Sequence, residues 1–338
     1  MFLVFCHVLV IDCLADCRRL SRENMTDRSD DPNNFRKLSP VIFVNCLAGG
    51  SRTRHYLPPI QKLFESVDLK AEFVITQSVV ELESSVRSAI KGGHRLLLAM
   101  GGDGTFQGLL NASFGADVLL GVLPTGGGND LAAALGLPRN PLHAAQAMIQ
   151  GEGRRIDIVR VRTADGRTRL YAGGGGVGLD AEAVLFAGGS YRRLPSRFRY
   201  IASALRALAG YKPLEIQIDF PGSDLPSHLG KALLAAVLNT PSYGAGLRLA
   251  PEAVLDDGLL NIVMIEDLSK KAVLALLPRL LRNGELRTSR ARRWTAPAVR
   301  LSANRPCFFQ GDGEILGPAP VDIEVLHGVV QVLAPARM

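Results

Sequence analysis

The sequence lacks membrane-spanning material. Across its 338 residues, no run reaches the ~18 uninterrupted apolar residues that a transmembrane helix needs. The nearest stretch, Met1 to Ala15, is broken by His7 and Asp12 and has no basic residue before it. It is too short to span a bilayer and a poor match to a signal peptide. Arg18 to Arg36 is polar and charged, which predicts disorder. Residues 1–38 are therefore read as an amino-terminal extension, with Met25 an alternative start. Cysteine is also sparse: Cys6, Cys13, Cys17, Cys46 and Cys307 are odd in number and irregular in spacing. No pair of CxxC units suggests zinc, so reduced thiols and a cytoplasmic protein are expected. No internal repeat is found.

What the chain has is ordinary core material and much glycine. It is 47% apolar and 21% charged, as folded globular proteins are, and its length suggests about two domains. The 35 glycines cluster in a few short motifs. A net charge of +7 suits an anionic partner such as a nucleotide or an acidic lipid surface, without choosing between them.

The central stretch is LLLAMGGDGTFQG, Leu96 to Gly108. Leu96 to Met100 reads as a fully buried strand, and Thr105 to Ala112 as a short helix. A strand that feeds glycines at a helix start presents outward backbone N–H groups and a favourable dipole to phosphate. The loop has neither the Lys-Ser/Thr pair of a Walker A loop nor the third glycine of a dinucleotide fingerprint. It has Asp103 instead. An acid among phosphates is repulsive unless it holds a cation or takes a proton, which points to phosphoryl chemistry. Taken alone, GGDGT also reads as a tight turn in which Asp103 is an ordinary helix cap.

The flanking pattern is β-α-β-α-β. Val41 to Asn45, Ala71 to Ile75 and Leu119 to Leu123 are the further strands. Helices are expected over Ile60 to Val67, with Pro58 and Pro59 near its start, and over Val80 to Lys91. This order predicts a Rossmann-like parallel sheet whose ligands sit at the strands' carboxyl ends. Asn45, Thr76 and Gly101 to Thr105 fall at that edge, as does a third loop, PTGGGND (Pro124 to Asp130), followed by a helix from Leu131 and another over Pro141 to Gln150. After Gly151 to Gly153 the pattern alternates, starting with RRIDIVRVR (Arg154 to Arg162), the mark of antiparallel strands. Asp165-Gly166 is a hairpin turn, with Thr168 to Ala172 returning. Further strands are expected at Leu214 to Phe220, Ala232 to Asn239, Leu259 to Ile265, Val299 to Ser302, Val321 to Val325 and Val329 to Leu333. Helices are expected at about 195–210 and 269–282. The fold class is thus an α/β parallel-sheet domain, 39–152, plus a mostly antiparallel β-sandwich domain, 153–338, whose last residues return to the first. Within the second domain lie GGGGVGLDAE (Gly173 to Glu182), PEAVLDDG (Pro251 to Gly258) and QGDGE (Gln310 to Glu314). Asp180 either caps a helix or faces the cleft, and each Asp-Gly pair in isolation is a turn.

In order, GGDGT, PTGGGND, GVGLDAEA, PEAVLDDGLLNIVMI and DGE resemble the diacylglycerol kinase catalytic family, which is similar to sphingosine and ceramide kinases and shares GGDGT with NAD kinases. The resemblance runs from about Pro40 to Pro335. It implies that Asn45, Cys46, Leu47, Ala48, Gly49 and Thr76, the loop Gly101, Gly102, Asp103, Gly104, Thr105, Phe106 and Gln107, and Gly127, Asn129 and Asp130 contact ATP. It implies that Asp103 works with Mg²⁺ at the phosphates, with Asp130 and Asp157 in the surrounding metal and water network. Asp257, with the carbonyls of Val254 and Leu259, matches a second, structural Mg²⁺ site, and Glu314 matches the proton acceptor. The chain departs from the family where Cys46 follows Asn45 in place of proline, and where Gly127 replaces a threonine that would donate to phosphate.

The reading that results is an ATP- and Mg²⁺-dependent kinase acting on the hydroxyl of a membrane lipid, diacylglycerol or a related alcohol. Phosphoryl transfer needs positioning and charge neutralisation, and a carboxylate in reach of the acceptor hydroxyl removes its proton. The alternatives are an NAD kinase-like phosphotransferase and an inactive nucleotide-binding protein. Tyr191 to Tyr211 carries Arg192, Arg193, Arg197, Arg199 and Arg206 beside Leu194, Phe198, Ile201, Leu205 and Leu208, a pattern shared by membrane-surface helices and by core-packed helices with solvated arginines. Arg287 to Arg293 is a second basic run. Peripheral membrane contact is expected, no nucleic-acid partner is, and a homodimer is left open.

Overall fold

The computed structural model describes residues 38–46, 51–189, 196–244, 246–275 and 288–336. The expected extension up to residue 37, the ATP-loop residues Leu47, Ala48 and Gly49, the basic residues Arg192, Arg193 and Arg287, and the second half of the expected 269–282 helix, whose residues 270–275 are helical, lie outside them. So do the side chains at 196–201.

Four strands build one end of the sheet: β1 (Pro40–Asn45), β2 (Glu72–Thr76), β3 (Leu96–Gly101) and β4 (Leu119–Pro124). They lie parallel in the order β2-β1-β3-β4. β3 is buried along its whole length, as an apolar run covered on both faces must be. The register aligns Asn45 with Thr76, Val44 with Met100, and Gly101 with Pro124, so the motif-bearing carboxyl ends share one edge. The crossovers are α1 (Ser51–Ser66), α2 (Val79–Lys91) and α3 (Asp103–Ser113); α4 (Asp130–Ala134) and α5 (Pro141–Ile149) follow β4. Ser78 starts α2 by accepting from the Glu81 N–H, and Asn140 starts α5 by accepting from Leu142 and His143, as N-caps do.

α1 corrects the sequence expectation. It begins nine residues before Ile60 and holds Pro58 and Pro59 in its interior. Interior prolines disfavour a helix, but Thr53, Ile60 and Phe64 are all buried, and that packed face outweighs the local preference.

The remaining strands are β5 (Glu152–Arg162), β6 (Thr168–Tyr171), β7 (Gly174–Gly178), β8 (Leu214–Asp219), β9 (His228–Leu238), β10 (Leu260–Glu266), β11 (Ala291–Ala296), β12 (Ala298–Ala303), β13 (Phe308–Gly311), β14 (Glu314–Pro318) and β15 (Val321–Ala334), with α6 (Leu179–Gly188) and α7 (Ser196–Gly210) after β7. Their pairings are antiparallel, except that β15 also pairs parallel with β4. The sequence pattern split β15 at 325–329. The strand is continuous in the sheet path but changes register between Leu326 and Val330. A bulge of this kind interrupts alternation without ending a strand.

β5 and β15 pair from Asp322–Arg162 to Ala334–Glu152 and carry both hydrophobic cores. Ile156, Ile158, Val330, Val332 and Leu333 belong to the first core, and Val159, Val161, Val321 and Ile323 to the second. Val332 is fully buried and sits between Leu120 of β4 and Arg154 of β5. An aspartate there would be buried, and its cross-strand neighbour Arg154 is already engaged by Asp256, so the buried charge should make Val332→Asp cost at least about 3 kcal/mol of stability. Urea unfolding checks this; a loss below about 1 kcal/mol would show that β15 does not hold the two cores together.

Candidate active site

The glycine loops at the carboxyl edge pack backbone against backbone. A Cβ on Gly126 would stand 2.4 Å from the Gly102 Cα, and one on Gly101 would stand 2.2 Å from Thr105 Oγ1. Only glycine permits such an approach. Thr125 and Gly126 N–H groups donate to the Gly101 carbonyl, locking the GGDGT and PTGGGND loops side by side. Asn45 Nδ2 donates to Thr105 Oγ1 at 3.1 Å, and Thr53 Oγ1 donates to Thr125 Oγ1 at 2.8 Å. Asn129 is held in the left-handed region at φ 61°. Its Nδ2 donates to the Gly126 carbonyl, while its buried Oδ1 has no hydrogen-bond partner. Thr76 is buried at the end of β2, and half-buried Cys46 carries a free thiol.

Asp103 opens α3, yet its side chain serves another helix. Oδ2 accepts from Asn129 N–H at 2.8 Å and Oδ1 from Leu131 N–H at 3.2 Å, capping the start of α4. Burial pushes its carboxyl up from the ordinary range, against the pull of these backbone N–H groups. The sequence alternative of an ordinary cap is thus half met: Asp103 is a cap, but across two loops.

The hairpin of β13 and β14 brings a second acid to the same place. Gly311 pairs with Glu314, leaving Asp312 and Gly313 as a two-residue turn at φ 50° and 83°. Positive φ at both positions is what a type I′ hairpin requires. Asp312 Oδ2 accepts from Ala172 N–H at 2.9 Å, and Oδ1 from Gly173 and Gly174 N–H at 3.0 and 3.1 Å. Burial, and then the charge of Asp103, push the Asp312 carboxyl up to about 7. Exposed Glu314 lies against the GGDGT loop: a Cβ on Gly104 would be 3.3 Å from Glu314 Oε1. Sequence positions 103 and 314 are therefore neighbours.

Polar contacts join the two halves around this point. Gln107 Nε2 donates to the Gly311 carbonyl at 3.1 Å. Asn111 donates to the Leu170 carbonyl and accepts from its N–H. Asp130 Oδ1 accepts from Ser242 Oγ at 2.7 Å and Gly246 N–H at 3.1 Å. Phe106 is buried beneath the loop, and Gly127 is half-buried in it.

Asp157 is grouped with a different loop. It is fully buried in β5. Oδ2 accepts from Gly258 N–H at 2.6 Å, and Oδ1 meets Gly328 N–H and His327 Nδ1, each at 2.8 Å. These contacts fix the 254–259 segment, where Asp257 Oδ1 accepts from Leu259 N–H at 3.0 Å and Val254 and Leu259 are exposed. Arg154 braces the neighbouring Asp256 at 3.1 Å.

The donor chemistry fits a nucleotide and a hard cation. The backbone of the GGDGT and PTGGGND loops, with the helix starts they feed, suits the phosphates of a nucleotide, and the acids offer oxygen only, the preference of Mg²⁺. Among the described residues, no three His, Cys, Asp or Glu side chains converge in metal-binding geometry. A cation here would be completed by water, carbonyls or phosphate, as Mg²⁺ usually is.

Two polar groups escaped the sequence reading as site residues. Asp312 was hidden in an Asp-Gly pair, the commonest of turn signals. Asp180, at the first turn of α6, accepts from Tyr243 OH and from Gln310 Nε2 at 3.2 Å, and its buried Oδ1 has no partner. Its place in GLDAE offered the cap or cleft alternatives, and only the fold places it beside Gln310.

Comparison with known proteins agrees with this architecture. A diacylglycerol kinase catalytic domain model matches residues 39–161, and a model of the YegS C-terminal NAD kinase beta sandwich-like domain matches 175–334. A diacylglycerol kinase of Mycobacterium tuberculosis is 30% identical over 249 residues, covering 73% of this chain and 79% of that one. A diacylglycerol kinase of Bacillus subtilis is 25% identical over 87% of this chain and 95% of its own length. A crystal structure of a Bacillus anthracis diacylglycerol kinase aligns over 88% of this chain and 97% of that one, with TM-score 0.63 at 17% identity, and shows the same fold. By its two domain matches and the extent of its likeness to these relatives, the chain belongs to the diacylglycerol kinase family of ATP-dependent lipid kinases.

Proposed function

We propose that this chain transfers the γ-phosphate of ATP to the hydroxyl of a membrane lipid, diacylglycerol or a closely related lipid alcohol, with Mg²⁺ as the metal. The observation that carries the reading is the placement of Glu314 against Gly104, next to Asp103. It sets an exposed carboxylate over the loop whose glycines and N–H groups suit phosphate. Asn45, Thr76, Gly101 to Gln107, Gly127, Asn129 and Asp130 hold the nucleotide. Asp103 faces its phosphates, and Glu314 takes the acceptor's proton as the new P–O bond forms. Mg²⁺, when bound, neutralises charge on the transferring phosphoryl group; Asp103 would hold it, with Asp157 keeping the Val254–Leu259 loop in shape for a second ion at Asp257.

The acceptor is brought from a membrane surface rather than from within one. Among the described residues no helix is long and apolar enough to cross a bilayer. α7 divides its faces: Leu208 is buried, whereas Leu205 is exposed beside exposed Arg206, whose guanidinium lies 5.3 Å from the centre of the Phe186 ring. Exposed leucine beside arginine favours an anionic bilayer. The test is labelled ATP supplied with dispersed diacylglycerol, with a total lipid extract, or with NAD. Label in a lipid product supports the proposal, and label only in NAD, or tight ATP binding without transfer, overturns it.

Three substitutions follow. Glu314→Gln should lower turnover by about 10²–10⁴-fold with an unchanged melting temperature; retention of a tenth of the rate would remove Glu314 from the proton step. Asp103→Ala should abolish turnover and also destabilise the fold by about 1–3 kcal/mol, because the Asn129 and Leu131 N–H groups lose their acceptor. Unchanged stability in calorimetry would show that this cap is unimportant. Gly126→Val should eliminate the rise in melting temperature caused by ATP, since its Cβ must displace Gly102.

A further inference from the structure

An Asp-Gly pair in a type I′ hairpin is ordinarily a solvated turn with no task for its side chain. Asp312 is different. Its carboxylate is turned inward onto the chain entering β7 and is met there by three successive N–H groups, of Ala172, Gly173 and Gly174. The docking is reciprocal: the Asp312 N–H donates to the Gly174 carbonyl at 2.8 Å, while Gly174 N–H donates to the Asp312 side chain. Burying a carboxylate is costly unless hydrogen bonds compensate it, and a bare turn does not need one. The fit is also close, since a Cβ on Gly173 would stand 2.7 Å from Asp312 Oδ1.

The same turn is held from two further directions. Gln310 Oε1 accepts from Gly313 N–H at 3.1 Å, and Gln107 of α3 donates to the Gly311 carbonyl at 3.1 Å. All three anchors precede Glu314, the first residue of β14, whose side chain reaches back to Gly104. The backbone of the turn links Asp312 to Glu314 two residues on.

We infer that Asp312 is a positioning residue: by clamping the β13–β14 turn to residues 172–174 it fixes where the Glu314 carboxylate stands over the GGDGT loop. The inference rests on the proposed role of Glu314. A carboxylate is required because it accepts three N–H groups with two oxygens. The amide of asparagine has one acceptor oxygen and would set its NH₂ against a donor.

The experiment compares Asp312→Asn, Glu314→Gln and the double variant, with kcat and KM for ATP measured for each. Asp312→Asn should lower kcat by about 100-fold, the scale of a 1 Å misplacement, with KM for ATP within about threefold and the ATP-induced rise in melting temperature retained. The double variant should be no slower than Glu314→Gln alone, because residues acting as one unit are non-additive. Gly173→Ala, whose Cβ crowds the clamped Asp312 Oδ1, should reproduce the kcat loss and serves if Asp312→Asn does not fold. Full activity of Asp312→Asn or Gly173→Ala overturns the inference. So does a double variant slower than Glu314→Gln by the same factor, or loss of ATP binding together with rate. If Glu314→Gln itself stays active, the proton-acceptor reading fails instead, and the inference falls with it.

Discussion

Peptide N–H groups hold three inward-turned acids of this protein in place. Asp103 is met by Asn129 and Leu131, Asp157 by Gly258 and Gly328, and Asp312 by Ala172, Gly173 and Gly174. Lysine and arginine do other work: Arg160–Glu324, Arg292–Glu266 and Arg300–Asp322 are ion pairs at the surface, where such pairs contribute little. A peptide dipole carries no net charge, so the acids keep their negative field while remaining hydrogen-bonded. That field suits a divalent ion and a proton in transit. It also explains the glycine richness of the loops, because N–H groups reach a buried oxygen only where the backbone can come close.

Two lobes share the site, and the division has a physical logic. The parallel sheet supplies N–H groups and helix starts, which suit phosphate. The antiparallel part supplies a hairpin tip, which can present Glu314 to solvent while its base is anchored. The seam between them is polar, through Gln107, Asn111 and Asp130, and the apolar continuity is left to β5 and β15. Rigid framework and polar cleft are thus built from different residues.

The first lobe was legible because each of its strands is a short apolar run closed by glycine, threonine or asparagine at the same edge. Leu96 to Met100 could hardly be anything but a central strand. What stayed hidden has local causes. β7 is almost all glycine and shows no period, since its side of the sheet is filled by neighbours such as Phe309 and Tyr243. β13 (FFQG) and β14 (EILGP) do not alternate apolar with polar residues, so no strand period marks them. Pro58 and Pro59 masked the start of α1, whose packing only the fold reveals. Among candidate site residues, the glycine loops and Glu314 stood out by motif. Asp312 did not, because the direction of a turn side chain is decided by the strand it docks against, here one 138 residues earlier at Gly174.

The path of β15 bears on how the polypeptide is made. The strand that completes both cores follows β1 to β14 in sequence, so a ribosome must deliver all of these before β4 and β5 gain their shared neighbour. Until then two apolar strand edges stand open to other chains. Such an intermediate is exposed to aggregation, and chaperone assistance during synthesis would act during that interval.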